Sequence, residues 1–499
     1  MPTLAVNRAG FQTPPTLSEP SAPKSATEKA DLYRDNRIAY WNNYVRRSPS
    51  LYYHRRTAEI YKFIIPPGQQ VLELGCGDGD LLAALKPSRG VGVDFAPSRI
   101  ERAKAKYPEI DFVVQDVHEL SLDGTFDYVI LSDLVNDLWD VEQVFHRIAP
   151  LTNPRTRIVI NSYNRMWELP LSIVRRINLV SPFITENWFA PEDIDNMLYL
   201  SGFETIRRWR EILLPMRFPI IDSLFNKIFA KIAPFRSFAL SNFIIARPAW
   251  QNRKAGDSEP IVSVIVPARN EAGNIEGIFR RLPKMGAGTE LILIEDHSTD
   301  DTFEVMERTA ARFPSQRCRI MRSPGTEKGK GTAVRAGLAA ATGDVLMILD
   351  ADLTVAAEDL PRFYEAWRSG KGEFINGVRL VYPMEQEAMR YINLFGNKFF
   401  STAFSWLLGQ KIKDTLCGTK VLSREHYDLI ASNRAYFGDF DPFGDFDLIF
   451  GAAKLNLKIV DMPIRYAERT YGSTNIARWR HGWMLLKMIG FACTRIKFV

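Results

Sequence analysis

At 499 residues the chain has room for two to four domains of about 150 residues each. Its 46% hydrophobic and 24% charged content is ordinary for a soluble globular chain. The 64 Lys and Arg exceed the 58 Asp and Glu by only +6, which argues against a nucleic-acid partner and fits anionic membranes or phosphorylated substrates where the charge is clustered.

Cys76, Cys318, Cys417 and Cys493 are far apart and lack metal-ligand spacing, so free thiols in a reducing, cytoplasmic compartment are expected. The N-terminus has no apolar h-region, and no signal peptide is expected. No uninterrupted apolar run reaches the ~18–20 residues of a spanning helix. Contact with a membrane is therefore expected at its surface, on the inner face.

Residues 1–34 open with Thr13-Pro14-Pro15-Thr16 and Ser21-Ala22-Pro23 and are expected to be disordered. A helical segment follows, whose Tyr40, Trp41, Tyr44, Tyr52 and Tyr53 read as packing residues, with a lid over a ligand as the alternative. Pro66-Pro67-Gly68 marks a turn. Gln70 to Leu74 is a strand that runs into Gly75-Cys76-Gly77-Asp78-Gly79-Asp80, and a helix starts at Leu81. Glycines between a strand and a helix let the backbone approach a ligand closely. Glu73 stands where it would repel a dinucleotide's pyrophosphate. Gly90 to Asp94 is a second strand ending in an acid suited to ribose hydroxyls. A third, Phe112 to Val114, leads to Asp116 and Val117, and a fourth, Phe126 to Leu131, ends at Ser132 and Asp133.

This order resembles the class I S-adenosylmethionine-dependent methyltransferases over residues 35–248, which implies a Rossmann-like α/β fold. By resemblance Glu73, Gly75, Gly77 and Gly79 line the methionine side, Asp94 holds the ribose, and Asp116 with Val117 brackets the adenine. Ser132 and Asp133 would lie near the sulfonium. His54, His118 and His146 read as surface or packing residues, and no general base stands out. In the tail from Ile212 to Ile245, Ile221, Leu224, Phe225, Ile228, Phe229 and Ile232 recur at helical spacing beside Arg217, Lys227, Lys231 and Arg236. That pattern suits either a core helix or a basic amphipathic helix at a lipid interface. Residues 249–260 shift composition and are expected to be the linker.

The α/β alternation then restarts with a different pattern. Ile261 to Val266 is a strand followed by Pro267-Ala268-Arg269-Asn270-Glu271. Leu291 to Ile294 is a strand ending in Glu295-Asp296-His297-Ser298-Thr299-Asp300-Asp301. Lys328-Gly329-Lys330-Gly331 is a cationic turn before a helix, suited to an anion. The run from Val345 to Leu349 reads as a strand buried on both faces, and it ends in Asp350-Ala351-Asp352. Two carboxylates this close repel unless a cation lies between them or water screens them, and hard divalent ions share such oxygens with substrate phosphates.

These motifs resemble the family-2 glycosyltransferases of the GT-A fold, and more narrowly the polyprenyl- and dolichyl-phosphate sugar synthases, over residues 261–476. The resemblance implies that Pro267, Ala268, Glu271, Asp296 and Lys330 bind the donor nucleotide, and that Asp350 and Asp352 hold Mg²⁺ or Mn²⁺. Thr354 stands where a Gln is frequent. Arg379 and Arg390 would face an acceptor phosphate. Arg469 would close over the donor diphosphate, and Asp445 or Asp447 would serve as base if the acceptor were a hydroxyl. Residues 477–499 form a basic amphipathic segment, with Trp479, Trp483, Leu486, Ile489, Cys493 and Ile496 on one side, to dock on the domain or lie at a bilayer interface. The expected protein is a two-domain α/β bifunctional transferase. One half moves a sugar from a nucleotide sugar to a polyprenyl phosphate or another lipid-linked acceptor of an envelope glycan, and the other moves a methyl from S-adenosylmethionine to an unidentified acceptor. The rivals are transfer to a saccharide or glycolipid hydroxyl and a methyltransferase-like half that only binds.

Overall fold

The structure, a computed structural model, describes residues 26–43, 48–176, 187–249, 258–325, 329–379, 391–436, 444–467, 469, 471 and 478–498. The N-terminal sheet contains β1 (Gln70–Leu74), β2 (Arg89–Asp94), β3 (Asp111–Val114), β4 (Phe126–Ser132), β5 (Thr152–Tyr163), β6 (Phe203–Glu211) and β7 (Ser241–Pro248), in the order β3-β2-β1-β4-β5-β7-β6. Strands β1 to β5 pair in parallel, while β7 runs antiparallel between β5 and β6. Strand order reverses between β1 and β4, the crevice where open α/β sheets bind ligands. Val71, Leu72, Leu74, Val129, Ile130 and Leu131 are fully buried because helices cover both faces there, and their strands accordingly read as mainly apolar runs, interrupted in β1 by Glu73.

The second sheet contains β8 (Ile261–Ala268), β9 (Gly288–Glu295), β10 (Cys318–Arg322), β11 (Val345–Ile348), β12 (Phe374–Val378), β13 (Lys420–Ser423) and β14 (Ile459–Pro463), in the order β10-β9-β8-β11-β13-β12-β14. Strand β11 pairs in parallel with β8 and antiparallel with β13. Side chains alternate across it: Leu346 and Ile348 pack with Phe404, Phe446 and Phe450, whereas Val345 and Met347 pack with Phe279 and Phe363. Strand β11 is thus sealed on both faces.

Two segments depart from expectation. A helix occupies Ala26–Asn43, so the stretch expected to be disordered up to residue 34 is helical from residue 26. Tertiary contacts hold it: Tyr33 Oη and Arg37 Nε donate to the Asp137 carbonyl, and Ser98 Oγ donates to Asn42 Oδ1. The C-terminal helix Arg478–Ala492 docks through Leu485, Met488, Ala492 and Ile496, leaving Trp483 and Leu486 of the expected apolar side exposed. Residues 1–25, the linker stretch 250–257, Tyr44 and Arg390 lie outside the described residues.

The two α/β units meet across a buried ion cluster. Arg157 of β5 and Arg247 of β7 both pair with Glu373, at 2.7 and 3.2 Å, and Arg247 also donates to the Gly370 carbonyl. Trp406 donates to the Lys231 carbonyl, and Lys454 to the Phe63 carbonyl, over the same boundary. Among the described residues no helix is long and apolar enough to cross a membrane, and the four cysteines are free.

Candidate functional site

The carboxyl ends of β8, β9 and β11 converge on one set of charges. Asp350 follows β11 and pairs with Lys330 Nζ at 2.7 Å. Burial opposes ionisation of Asp350, but Lys330 outweighs it, and the carboxyl sits below its ordinary range. Lys330 also lies 3.9 Å from Asp445, which in turn lies 3.8 Å from the fully buried Lys420. Burial pushes the Asp445 carboxyl up against the pull of Lys330 and Lys420. Two residues on, Asp352 accepts from Arg469 Nη2 at 2.7 Å, and Arg469 Nη1 bonds Glu271 at 3.1 Å. One guanidinium thus ties the loop after β8 to the loop after β11. Thr354 donates both its N–H and its hydroxyl to Asp352 Oδ1, so it orients this carboxylate. Leu353, between them, has φ of 54°, a left-handed conformation that a branched side chain rarely adopts.

The remaining expected donor-site residues border this cluster. Glu271 is buried, which pushes its carboxyl up, and it accepts from Asn274 at 2.7 Å. Pro267 and Ala268 close β8. Asp296 follows β9 and accepts the Gly329 N–H, so it fixes the backbone immediately before Lys330. Arg379 forms a bidentate pair with the buried Asp414 through Nε and Nη2 rather than through Nη1. Asp447 meets Arg335 and Arg434, at 3.5 and 3.2 Å, and of the two acids at this helix start it is Asp445 that joins Lys330.

The second site lies at the reversal of the N-terminal sheet. Gly75, Gly77 and Gly79 all have positive φ, at 70°, 55° and 78°, as the tight loop after β1 requires. Asp94 at the end of β2 braces this loop, accepting from the Gly77 N–H at 2.8 Å and the Ala96 N–H at 2.9 Å. Glu73 is buried, and its Oε2 is without a partner among the described residues. Burial drives its carboxyl well above the ordinary range. Asp116 caps the short turn at Val117 and holds the His118 N–H at 2.9 Å, while Val117 is buried in the core. Ser132 and Asp133 stand at the end of β4, half-buried.

Residues 263–430 match the family model Glycosyl transferase family 2, and residues 65–202 match Methyltransferase domain. A dolichol-phosphate mannosyltransferase of Pyrococcus furiosus is 35% identical over 247 residues, which is 48% of this chain and 67% of that relative. The chain belongs to glycosyl transferase family 2. It is a glycosyltransferase with a methyltransferase domain ahead of it. A second relative, from Mycolicibacterium smegmatis and named "Probable S-adenosylmethionine-dependent methyltransferase", is 29% identical over 159 residues, 31% of this chain and 60% of that one. A structure of glucosyl-3-phosphoglycerate synthase from Mycobacterium tuberculosis, solved with Mn²⁺ and uridine diphosphate, is 23% identical with a TM-score of 0.36, covering 50% of this chain and 85% of that one.

The acids of the glycosyltransferase domain suit a hard divalent ion. Asp350 and Asp352 offer two carboxylates at a rigid strand end, and magnesium-type sites complete such a pair with water and substrate phosphate. Among the described residues no group of three or more His, Cys, Asp or Glu is placed to hold a metal ion, so Asp350 and Asp352 offer two ligands and not a closed cage. The cradle is tight: a Cβ on Gly418 would collide with both Asp350 oxygens and Lys330 Nζ. In the methyltransferase domain the unpaired oxygen of Glu73 suits a hydrogen-bond donor or cation of a ligand, and the glycine loop is close-packed, a Cβ on Gly75, Gly77 or Gly79 falling within 2.8 Å of Leu134, Arg99 or Phe112. Sequence reading assigned no role to Asn161, Asn136 or Arg37. The position of Asn161, at the end of the apolar run of β5, was the available signal.

Proposed function

We propose that the glycosyltransferase domain moves a sugar from a nucleotide sugar to a polyprenyl phosphate, and that the methyltransferase domain uses S-adenosylmethionine. The observation that carries the first half is the bridge from Glu271 through Arg469 to Asp352, beside the Lys330–Asp350 pair. These three carboxylates and two cations carry one net negative charge, so they can exchange partners with a divalent ion and a diphosphate while each charge keeps an opposite neighbour. A bound Mg²⁺ or Mn²⁺ supplies charge neutralisation for the departing nucleoside diphosphate, held by Asp350 and Asp352. Arg469 and Lys330, released from those carboxylates, turn to the phosphate oxygens, and Glu271 keeps Arg469 in place. Pro267, Ala268 and Asp296 shape the nucleoside side. Arg379, through Nη1, and Arg390 take the acceptor phosphate, which is anionic near neutral pH and needs no base. The buried Asp445, with its raised carboxyl, favours a second reading, in which a saccharide hydroxyl is the acceptor and Asp445 its base. Incubation of the full chain with radiolabelled nucleotide sugars and either polyprenyl phosphate or soluble saccharides decides between them. Label entering the lipid phase is expected, and label on saccharides alone would overturn the first reading.

The same proposal puts the protein on the inner face of a membrane. Ile220 is 85% exposed, and Ile221, Leu224, Phe235 and Phe238 are exposed beside Lys227 and Arg236. The bond from Trp406 to Lys231 links this surface to the glycosyltransferase domain, whose Phe399 and Trp483 are exposed as well. Apolar groups ringed by cations suit anionic interfaces. In flotation assays the protein is expected to bind vesicles containing anionic lipid, and Ile220→Ser with Trp483→Ser to reduce the bound fraction at least about tenfold. Equal flotation of the two would remove this surface from the proposal.

A further inference from the structure

Asp133 is the least expected residue of the methyltransferase domain. It follows the last residue of β4 and has φ of 54°, a conformation that a non-glycine side chain rarely takes outside sites that need it. Its backbone N–H bonds the Asn161 carbonyl, and its Oδ1 accepts from Tyr53 Oη at 2.7 Å and from Asn161 Nδ2. Tyr53 is itself fixed by Ser241 Oγ at 3.0 Å, and Asn161 by Tyr61 Oη at 2.8 Å. These supports come from the helix Ser48–Ile64 and the ends of β5 and β7, so the carboxylate is positioned from three sides.

The surroundings mark a place for a reacting group. Leu134, the next residue, touches the cofactor loop so closely that a Cβ on Gly75 would lie 2.8 Å from it. Tyr163 stands 6.1 Å from the Tyr53 ring, and Trp188 6.2 Å from Tyr163, which makes an aromatic wall beside the acid. Both recorded bonds use Oδ1, and Asp133 keeps partial exposure.

Resting on the reading that this domain uses S-adenosylmethionine, we infer that Asp133 is a catalytic residue, the proton acceptor for methyl transfer to a neutral hydroxyl of the acceptor. The acceptor O–H gives its proton to the Asp133 carboxylate. Its oxygen forms the new bond to the methyl carbon, and the methyl–sulfur bond breaks with its electron pair going to sulfur. The products are a methyl ether and S-adenosylhomocysteine, and the Asp133 carboxylic acid returns its proton to water. An anionic acceptor would be repelled by Asp133 and Asp137 and would need no base. Burial raises the Asp133 carboxyl to about 7, against the hydrogen bonds from Tyr53 and Asn161 and with help from Asp137. A base poised near neutral pH is the kind that general-base transfer favours. The ionisable groups around it are Tyr53 and Tyr61, Asp137 with its partner Arg37, Glu73 near Tyr61, and His54, edge-on to the Tyr53 ring.

The test uses the full chain, its Asp133→Asn variant and its Tyr53→Phe variant. Carboxyl carbon resonances, assigned by comparison with Asp133→Asn, should show one acid titrating near pH 7. Tyr53→Phe removes a donor to the carboxylate and should move that titration upward. Tritium transfer from methyl-labelled S-adenosylmethionine to methyl glycosides should rise with pH through the same value in the wild type, shift upward in Tyr53→Phe and fall at least 100-fold in Asp133→Asn. Hexuronic acids and amino sugars, supplied in parallel, should not be methylated at the carboxylate or the amine. Titration of Asp133 in the ordinary carboxylate range, or methylation that survives Asp133→Asn, overturns the proposal. If no glycoside is methylated, the titration alone decides, and a normal value there sinks it. Calorimetry with S-adenosylhomocysteine separates the two layers: binding retained in Asp133→Asn keeps the cofactor reading whatever the fate of Asp133, and absence of binding in the wild type removes that reading.

Discussion

Asp352→Asn is expected to lower metal-dependent sugar transfer by about 10²–10³-fold. The substitution keeps the shape and one oxygen but removes the charge that a divalent ion needs at this position. It also takes from Arg469 one of its carboxylate partners, while Glu271 remains at 3.1 Å to hold the guanidinium. The pair is largely buried, with side-chain exposures of 10% for Asp352 and 28% for Arg469, so some loss of stability is expected, lessened because Glu271 still pairs with the guanidinium. Initial rates measured across a manganese titration, with thermal melting as control, check the expectation. A normal rate at saturating metal with an unchanged melting curve would remove Asp352 from the metal site.

The largest stability effect is expected far from both sites. Glu373→Gln leaves Arg157 and Arg247, only 4% and 1% exposed in their side chains, facing a neutral amide. Breaking a buried charge cluster by removing one member costs about 3–5 kcal/mol; here Arg247 keeps Glu204, whereas Arg157 is left with backbone carbonyls as its acceptors. By contrast Arg155–Glu425 crosses the same boundary at the surface, with side-chain exposures of 67% and 47%, and Glu425→Gln should cost less than about 1 kcal/mol. Urea midpoints of the full chain measure both. Burial alone would raise the Glu373 carboxyl, but Arg157 and Arg247, with His426, outweigh it and hold it below its ordinary range. A depressed carboxyl stabilises the folded state above its unfolded value of about 4.3 and loses that contribution as pH falls through the folded value. The gap between wild type and Glu373→Gln should therefore be full at pH 7 and narrow below about pH 4. Equal loss in the two variants would mean that the cluster is not an interdomain lock.

Several elements could be read without coordinates. Strands β1, β4 and β11 are largely buried on both faces, so apart from Glu73 in β1 and Asp127 in β4 their inner positions are apolar and they stand out against their neighbours. The glycine turn after β1 and the acids after β11 follow their strands directly, and the chain order alone puts them at the ligand-binding edge. The C-terminal segment shows where such reading fails. Its apolar residues form two faces, and only packing against Phe404 and its neighbours selects Leu485, Met488, Ala492 and Ile496 over Trp483 and Leu486. Helical spacing names the residues able to share a face, and the docking partner picks which face is buried.

From the amino-acid order alone came the two α/β units, their families, and the loops that carry glycine and aspartate, since each is written within a dozen consecutive residues. The antiparallel insertion of β7 and β13, the neutralised cluster of Lys330, Asp350, Asp445 and Lys420, the setting of Asp133 and the lock at Glu373 came only from tertiary structure. Tyr53 and Asp133 are 80 positions apart, and Arg157 and Glu373 are 216 apart. Local propensity and periodicity act over one or two turns of chain, whereas desolvation and ion pairing depend on what the fold brings within a few ångströms.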